Sequence, residues 1–220
     1  MQEIKGVIFD LDGTLIDSMW IWGEVAEEYV RSQGGTPSPT FREELRVLNT
    51  TEEAQYYIDN FGVNLPVDEV IIGRDDMMLE HLKNKVQLKT GVMQMLKELK
   101  KRGIRICIAT ATERRLVEPT MKRHGLGEYI EHVFTCTEEN TSKSSPDIYI
   151  KAAEFLGTDI SKTLVVEDAL YAMNTAKKAG FVVAGVYDKV SDDEQDEIKS
   201  ICDYYWITMD EMLDELRDEN

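Results

Sequence analysis

Short β-branched runs alternate with helix-period stretches along most of this chain. Residues 4–9, 104–109, 133–136, 163–166 and 181–187 have the unbroken apolar character of strands buried on both faces, and 204–207 is a weaker sixth. Between them, residues 90–102 place Val92, Met95, Leu96 and Leu99 at helical spacing, with Thr90 as the expected N-cap and Gly103 as the stop. Residues 169–179 end at Gly180 in the same way, and Thr208 with Glu211 has the spacing of a capping box ahead of Met212, Leu213 and Leu216. Strand–helix alternation of this kind predicts an α/β fold: a doubly wound, Rossmann-like parallel sheet that binds its ligands beyond the carboxyl ends of the strands.

One segment breaks the alternation. Residues 17–89 carry helical patterning and no convincing strand. An amphipathic stretch at 19–33 is ended by Gly34-Gly35-Thr36-Pro37-Ser38-Pro39, and three more helices fit 40–48, 51–60 and 67–85. The Met/Leu stripe of Met77, Met78, Leu79 and Leu82 belongs to their shared core. The expected organisation is an all-helical cap domain, residues 18–89, inserted into an α/β core formed by 1–17 and 90–220.

Charge narrows the partners. Against 25 Lys and Arg stand 42 Asp and Glu, a formal net charge of −17. Such a polyanion is not attracted to nucleic acid or to an anionic membrane surface. A small phosphorylated substrate stays open, because a bound divalent cation reverses the sign of one pocket. The acidity is also unevenly spread: residues 188–220 hold 13 acids and 3 bases, 18–89 hold 13 and 7, and the remainder holds 16 and 15. Cys107, Cys136 and Cys202 are odd in number and widely spaced, with neither zinc nor disulfide spacing. The first residues lack the basic flank and apolar run of a signal peptide, and no apolar run is long enough to span a bilayer. A cytoplasmic monomer is expected.

The strongest chemical signal is Asp10-Leu11-Asp12-Gly13-Thr14 at the end of the first strand. A strand end presents Asp10 to the crevice, Gly13 permits a sharp turn, and two neighbouring carboxylates can hold a hard cation and divide nucleophile from proton carrier. An ordinary Asx turn is the alternative. Thr110 follows the second long strand, where its hydroxyl and N–H suit a phosphate oxygen, although it and Thr112 are equally good helix caps. Lys143 sits in Thr141-Ser142-Lys143-Ser144-Ser145-Pro146-Asp147, where a solvated loop lysine is the plain alternative. Glu167-Asp168 ends an apolar strand, a costly place for two acids unless they are paired, capping a helix or bound to metal.

Together, Asp10/Asp12, Thr110, Lys143 and Glu167/Asp168 resemble the four motifs of the haloacid dehalogenase superfamily, in order, strand-end placement and gaps. The strings FDLDGTLIDS, IATAT, SKSSPDIYI and VVEDALYAMNTAKKAG carry the likeness, which spans the whole chain. It is nearest the branch of β-phosphoglucomutase-like and phosphoglycolate-phosphatase-like proteins. The resemblance implies that Asp10 is the nucleophile and Asp12 the acid and base. It also implies that Thr110 and Lys143 hold phosphate oxygens. Mg²⁺ would be held by Asp10, the Asp12 carbonyl and Asp168, with Glu167 on the ion or just behind it.

Departures from that pattern favour hydrolysis over mutase chemistry. Where the mutases carry a cap histidine this chain has Trp22, and where they carry an arginine it reads Leu48-Asn49-Thr50-Thr51. No lysine lies between Asp17 and Lys83, against a phosphonatase-type Schiff base. The expected activity is Mg²⁺-dependent hydrolysis of a small phosphorylated metabolite. A sugar-phosphate mutase, or a regulatory binding protein with a retired site, are the alternatives. Candidate substrate contacts are Thr14, Ala111, Trp20, Trp22, Arg74 and Arg114. Cap core suffices to explain the tryptophans, and a solvated surface position explains Arg74.

Overall fold

In the computed structural model, which describes residues 4–45 and 48–218, eight strands and ten helices are seen. The strands are β1 (Gly6–Phe9), β2 (Ile16–Asp17), β3 (Gln87–Leu88), β4 (Arg105–Thr110), β5 (His132–Thr135), β6 (Thr163–Glu167), β7 (Val182–Val186) and β8 (Tyr204–Trp206). The helices begin with α1 (Met19–Ser32), α2 (Phe41–Leu45), α3 (Thr50–Phe61), α4 (Val67–Asn84) and α5 (Val92–Lys101). They continue with α6 (Arg114–His124), α7 (Asp147–Leu156), α8 (Leu170–Lys178), α9 (Gln195–Ile201) and α10 (Met209–Asp218).

Six strands form one sheet in the order β5-β4-β1-β6-β7-β8, every pair parallel. The first strand is central, and the winding reverses about it: the chain adds β4 and β5 on one side, then returns to add β6, β7 and β8 on the other. Every residue of β1, β6 and β7 is buried, as the continuous apolar runs require when helices cover both faces. Phe9 is in register with Ile108 and with Val166, so the next residues of three strands emerge side by side. That alignment creates the crevice.

The chain divides into two compact units, Met1–Asp17 with Gln87–Asn220, and Ser18–Val86. The helical unit contains α1 to α4 and has its own core, in which Phe41 stacks on Tyr57 at 5.8 Å and meets Phe61 edge-on at 5.2 Å. Of the Met/Leu stripe, Met77 packs against that core, and Met78 and Leu82 are buried.

Several local expectations need correcting. Ile16–Asp17 and Gln87–Leu88 pair as an antiparallel ribbon, which was missed because two-residue strands carry no periodicity. The ribbon puts residues 87–89 in the sheet unit. The helix expected at 40–48 is helical at Phe41–Leu45; residues 46 and 47 lie outside the described residues. Asn49 is the N-cap of α3, accepting from the N–H groups of Thr51 and Glu52 at 3.0 Å, while Glu52 accepts from Asn49 N–H at 2.9 Å. Gly91, not Thr90, caps α5, because the chain turns there at φ +86° with the start of α10 packed against it. Glu211 accepts from Ile207 N–H at 2.9 Å, one residue upstream of the Thr208 N–H that the predicted capping box uses.

Candidate active site

Asp10 is the first residue beyond β1, and its N–H donates to Val166 O at 2.9 Å, so the neighbouring strand fixes the point where the chain leaves the sheet. The next turn is closed by Leu15 and Ile16 N–H groups, which both donate to Leu11 O, and by Gly13 N–H donating to Ile16 O at 2.9 Å. Gly13 takes φ +79°, which a side chain would resist. This tight loop keeps Asp10 and Asp12 buried at the crevice, and Thr14 Oγ1 donates to Asp168 Oδ1 at 3.4 Å.

The other strand ends bring the remaining candidates. Thr110 closes β4 and is buried, and its Oγ1 accepts from Thr112 N–H at 3.1 Å. Glu167 closes β6 with no solvent exposure, and Asp168 follows it, almost as buried. Lys143, on the loop after β5, is buried too; its ammonium contacts Asp10 Oδ1 and lies 2.7 Å from Glu167 Oε1. The solvated-loop reading of Lys143 is thereby excluded. Tyr149 from α7 donates its hydroxyl to Glu167 Oε1 at 2.8 Å.

One lysine faces several buried acids, and the titration directions follow. Burial disfavours the Lys143 charge, yet Asp10 and Glu167 outweigh it and hold the ammonium protonated. Burial pushes Glu167 up to about 7, with Asp10 repelling its charge and Lys143 partly offsetting both. Burial also raises Asp168 well above the usual carboxyl range, reinforced by Asp10 and Glu167. Asp10, Glu167 and Asp168 each offer an oxygen, all within 4.8 Å of one another. Glu167 Oε2 is buried and has no hydrogen-bond partner. Hard oxygen donors, surplus negative charge and an orphaned carboxylate oxygen fit a small divalent cation.

The structure thus gathers Asp10, Asp12, Thr14, Thr110, Lys143, Glu167 and Asp168 at adjoining strand ends, with Ala111 exposed just beyond β4. Arg114 is tied elsewhere: its guanidinium bonds Glu138, with Nη2 2.6 Å from Oε2, and donates to Val133 O at 2.7 Å, clamping α6 to β5. In the helical unit Arg74 is buried, not solvated. It lies 5.5 Å over the Trp22 ring, 3.1 Å from Asp75 and 3.6 Å from Glu53. Trp20, on the same helix as Trp22, is exposed.

Two residues at the site escaped sequence reasoning. Thr112 Oγ1 donates to Asp12 Oδ2 at 2.7 Å. Neither it nor Thr110 caps α6, whose N-cap position is Glu113 and has no side-chain cap bond. Tyr149 lies on the buried face of α7, and no sequence signal beyond a buried phenol's need for a partner points to its contact.

A profile of the haloacid dehalogenase-like hydrolases matches residues 7–186, from the first strand to the end of β7. The chain belongs to that family. Among relatives of this haloacid dehalogenase-like hydrolase, the mitochondrial (DL)-glycerol-3-phosphatase 1 of Arabidopsis thaliana is 31% identical over 208 residues, covering 91% of this chain and 67% of that protein. The N-acetylmuramic acid 6-phosphate phosphatase of Pseudomonas aeruginosa is 28% identical over 189 residues, covering 84% and 82%. A crystal structure from Thermotoga maritima, provisionally assigned as a beta-phosphoglucomutase, superposes with a TM-score of 0.84 at 20% identity over 98% of this chain and 99% of that one. At that identity the likeness establishes the fold alone. Among the described residues no helix of this haloacid dehalogenase-like hydrolase is long and apolar enough to cross a membrane.

Proposed function

We propose that this phosphatase of the haloacid dehalogenase-like family hydrolyses a small phosphorylated metabolite in two steps, through an aspartyl-phosphate on Asp10 and with Mg²⁺ as cofactor. The observation that carries the reading is the meeting of Asp10, Asp12, Lys143, Glu167 and Asp168, buried, at the carboxyl ends of adjoining strands. Asp10, Asp168 and the Asp12 carbonyl would hold Mg²⁺, with Glu167 beside them; when bound, it screens the nucleophile from the phosphate and stabilises charge on the transferring group.

In the first step an Asp10 carboxylate oxygen attacks phosphorus in line. The bond from phosphorus to the ester oxygen breaks, its electron pair stays on that oxygen, and Asp12 supplies the proton that releases an alcohol. In the second step water attacks phosphorus, Asp12 takes its proton, and inorganic phosphate leaves with the Asp10 carboxylate restored. Lys143 and the Thr110 hydroxyl hold the non-bridging oxygens, where a preorganised cation and dipole stabilise charge without reorganising. Selection of the metabolite belongs to the helical unit, Ser18–Val86. Because Trp22 stands where the mutases have histidine and packs on Arg74, no observation favours the mutase reading. Three unpaired cysteines, two of them buried, suit the reducing cytoplasm, where we place the protein as a monomer.

The test is phosphate release from p-nitrophenyl phosphate by the purified chain. Turnover is expected with Mg²⁺, loss with a chelator, and recovery on adding the metal back. An Asp10→Asn variant that keeps wild-type turnover overturns the mechanism, and a screen of phosphorylated metabolites by kcat/KM identifies the substrate class.

A further inference from the structure

We infer that Thr112 is the positioning residue for Asp12, its hydroxyl fixing the carboxyl group that delivers a proton to the leaving oxygen. The inference rests on the two-step mechanism above and adds a residue to it. Thr112 Oγ1 donates to Asp12 Oδ2 at 2.7 Å, with both side chains buried. The two residues are 100 positions apart in sequence. They meet because β1 and β4 are adjacent and in register, Phe9 beside Ile108, so the loops leaving their ends face each other.

Thr112 is itself held in place. Its N–H donates to Thr110 Oγ1 at 3.1 Å, and Thr110 closes a fully buried stretch of β4. A rigid strand end thus anchors one threonine, that threonine anchors the next backbone, and the second hydroxyl reaches across to Asp12. An aspartate rotates about two soft side-chain torsions, the outer one broad and roughly two-fold. A hydrogen bond to one oxygen selects one orientation of the carboxyl group. A hydroxyl has one proton to donate. Given to Asp12, it is not available to a phosphate oxygen. Capping does not explain the residue either, since α6 starts at Arg114 after Glu113.

A positioning role for the proton carrier has a signature that a purely structural role lacks. The ratio kcat/KM reports the steps through formation of the aspartyl-phosphate. With p-nitrophenyl phosphate the phenolate leaves with little need of a proton, whereas an alkyl phosphomonoester must be protonated as it leaves. Thr112→Val is therefore expected to lose kcat/KM on an alkyl phosphate by at least about tenfold more than on p-nitrophenyl phosphate. Thr112→Ser, which keeps the hydroxyl, is expected to restore most of the difference. In an Asp12→Asn background, adding Thr112→Val is expected to change kcat by less than about twofold, because the two act as one unit. Melting curves accompany each variant, and if the valine form does not fold, Thr112→Ala against Thr112→Ser reads the same ratio. Equal losses on the two esters, or a rise in KM without a fall in kcat, overturn the inference and place Thr112 in phosphate binding or in the fold. A wild-type chain that releases phosphate from neither ester with Mg²⁺ overturns the mechanism and this residue's part in it together.

Discussion

Lys143 and Glu167 meet at 2.7 Å inside the protein, with Asp10 on the same ammonium, so one cation serves carboxylates from two different strand ends. Removing one partner of a buried charge cluster typically costs about 3–5 kcal/mol, since the charge left behind has neither water nor a counter-ion. Lys143→Met is expected to lower kcat/KM by at least about 100-fold, the scale of losing one preorganised charge stabiliser. It should also lower the melting temperature, more at neutral than at acidic pH, because Glu167 and Asp168 escape the penalty by taking up protons. Phosphate release and thermal melts check both; near wild-type turnover would contradict the contact's importance.

The metal-free protein should have an inverted pH response. Glu167 is pushed up to about 7 from 4.5, and Asp168 is raised as well. A carboxyl group whose pKa is higher folded than unfolded binds its proton more tightly in the fold, so stability falls as pH rises between the two values. In chelator, Tm is therefore expected to decline from about pH 5.5 to about pH 7.5. Saturating Mg²⁺ should flatten that slope, because binding an ion favours the ionised carboxylates. Glu167→Gln should remove much of it without metal. A chelated melt that is flat across this window would show that the cluster is not under charge strain.

Asp10→Asn tests the same strain from another side. The Asp10 charge helps to raise both Glu167 and Asp168, so neutralising it relieves both. The variant should be inactive, yet in chelator it should melt higher than wild type by a few degrees, about 2–4 °C for each kcal/mol in a chain of this size. A lower melting temperature would mean that the Asp10–Lys143 contact outweighs the repulsion.

What the sequence disclosed about this molecule, and what it hid, follows from how far each signal reaches along the chain. The central sheet strands were legible because burial on both faces forces continuous apolar runs, while half-exposed β8 gave only a weak signal, and the acids stood out because nothing in such runs tolerates them cheaply. Pairings across the fold were not legible. Thr110 and Thr112 are two hydroxyls in one IATAT string, and only the register of β1 with β4 decides that the second meets Asp12. Arg74 read as a surface residue because charge usually means solvent, but a stacked Trp22 and two carboxylates bury it. The β2–β3 ribbon and the cap of α5 were hidden for a simpler reason: each depends on one or two residues, too few for any period to show.

Gly91 and Gly103 separate backbone strain from crowding. Both have positive φ, +86° and +71°, so alanine at either meets the left-handed penalty of about 1–2 kcal/mol. At Gly103 an added Cβ would have nothing within 4 Å. At Gly91 it would lie 2.4 Å from Asp210 N and 2.7 Å from Met209 C, backbone atoms that cannot swing aside. The same approach lets Met209 N–H donate to Thr90 O at 3.0 Å, joining the start of α10 to the entry of α5. Gly91→Ala must displace α10 or break that bond, so its loss of stability should be at least about twice that of Gly103→Ala, several kcal/mol in all. Urea melts of the two variants make the comparison, with the slope of the transition reporting any loosening of the native state. Equal losses would mean that the left-handed turn alone, and not the close approach of α10, accounts for glycine at position 91.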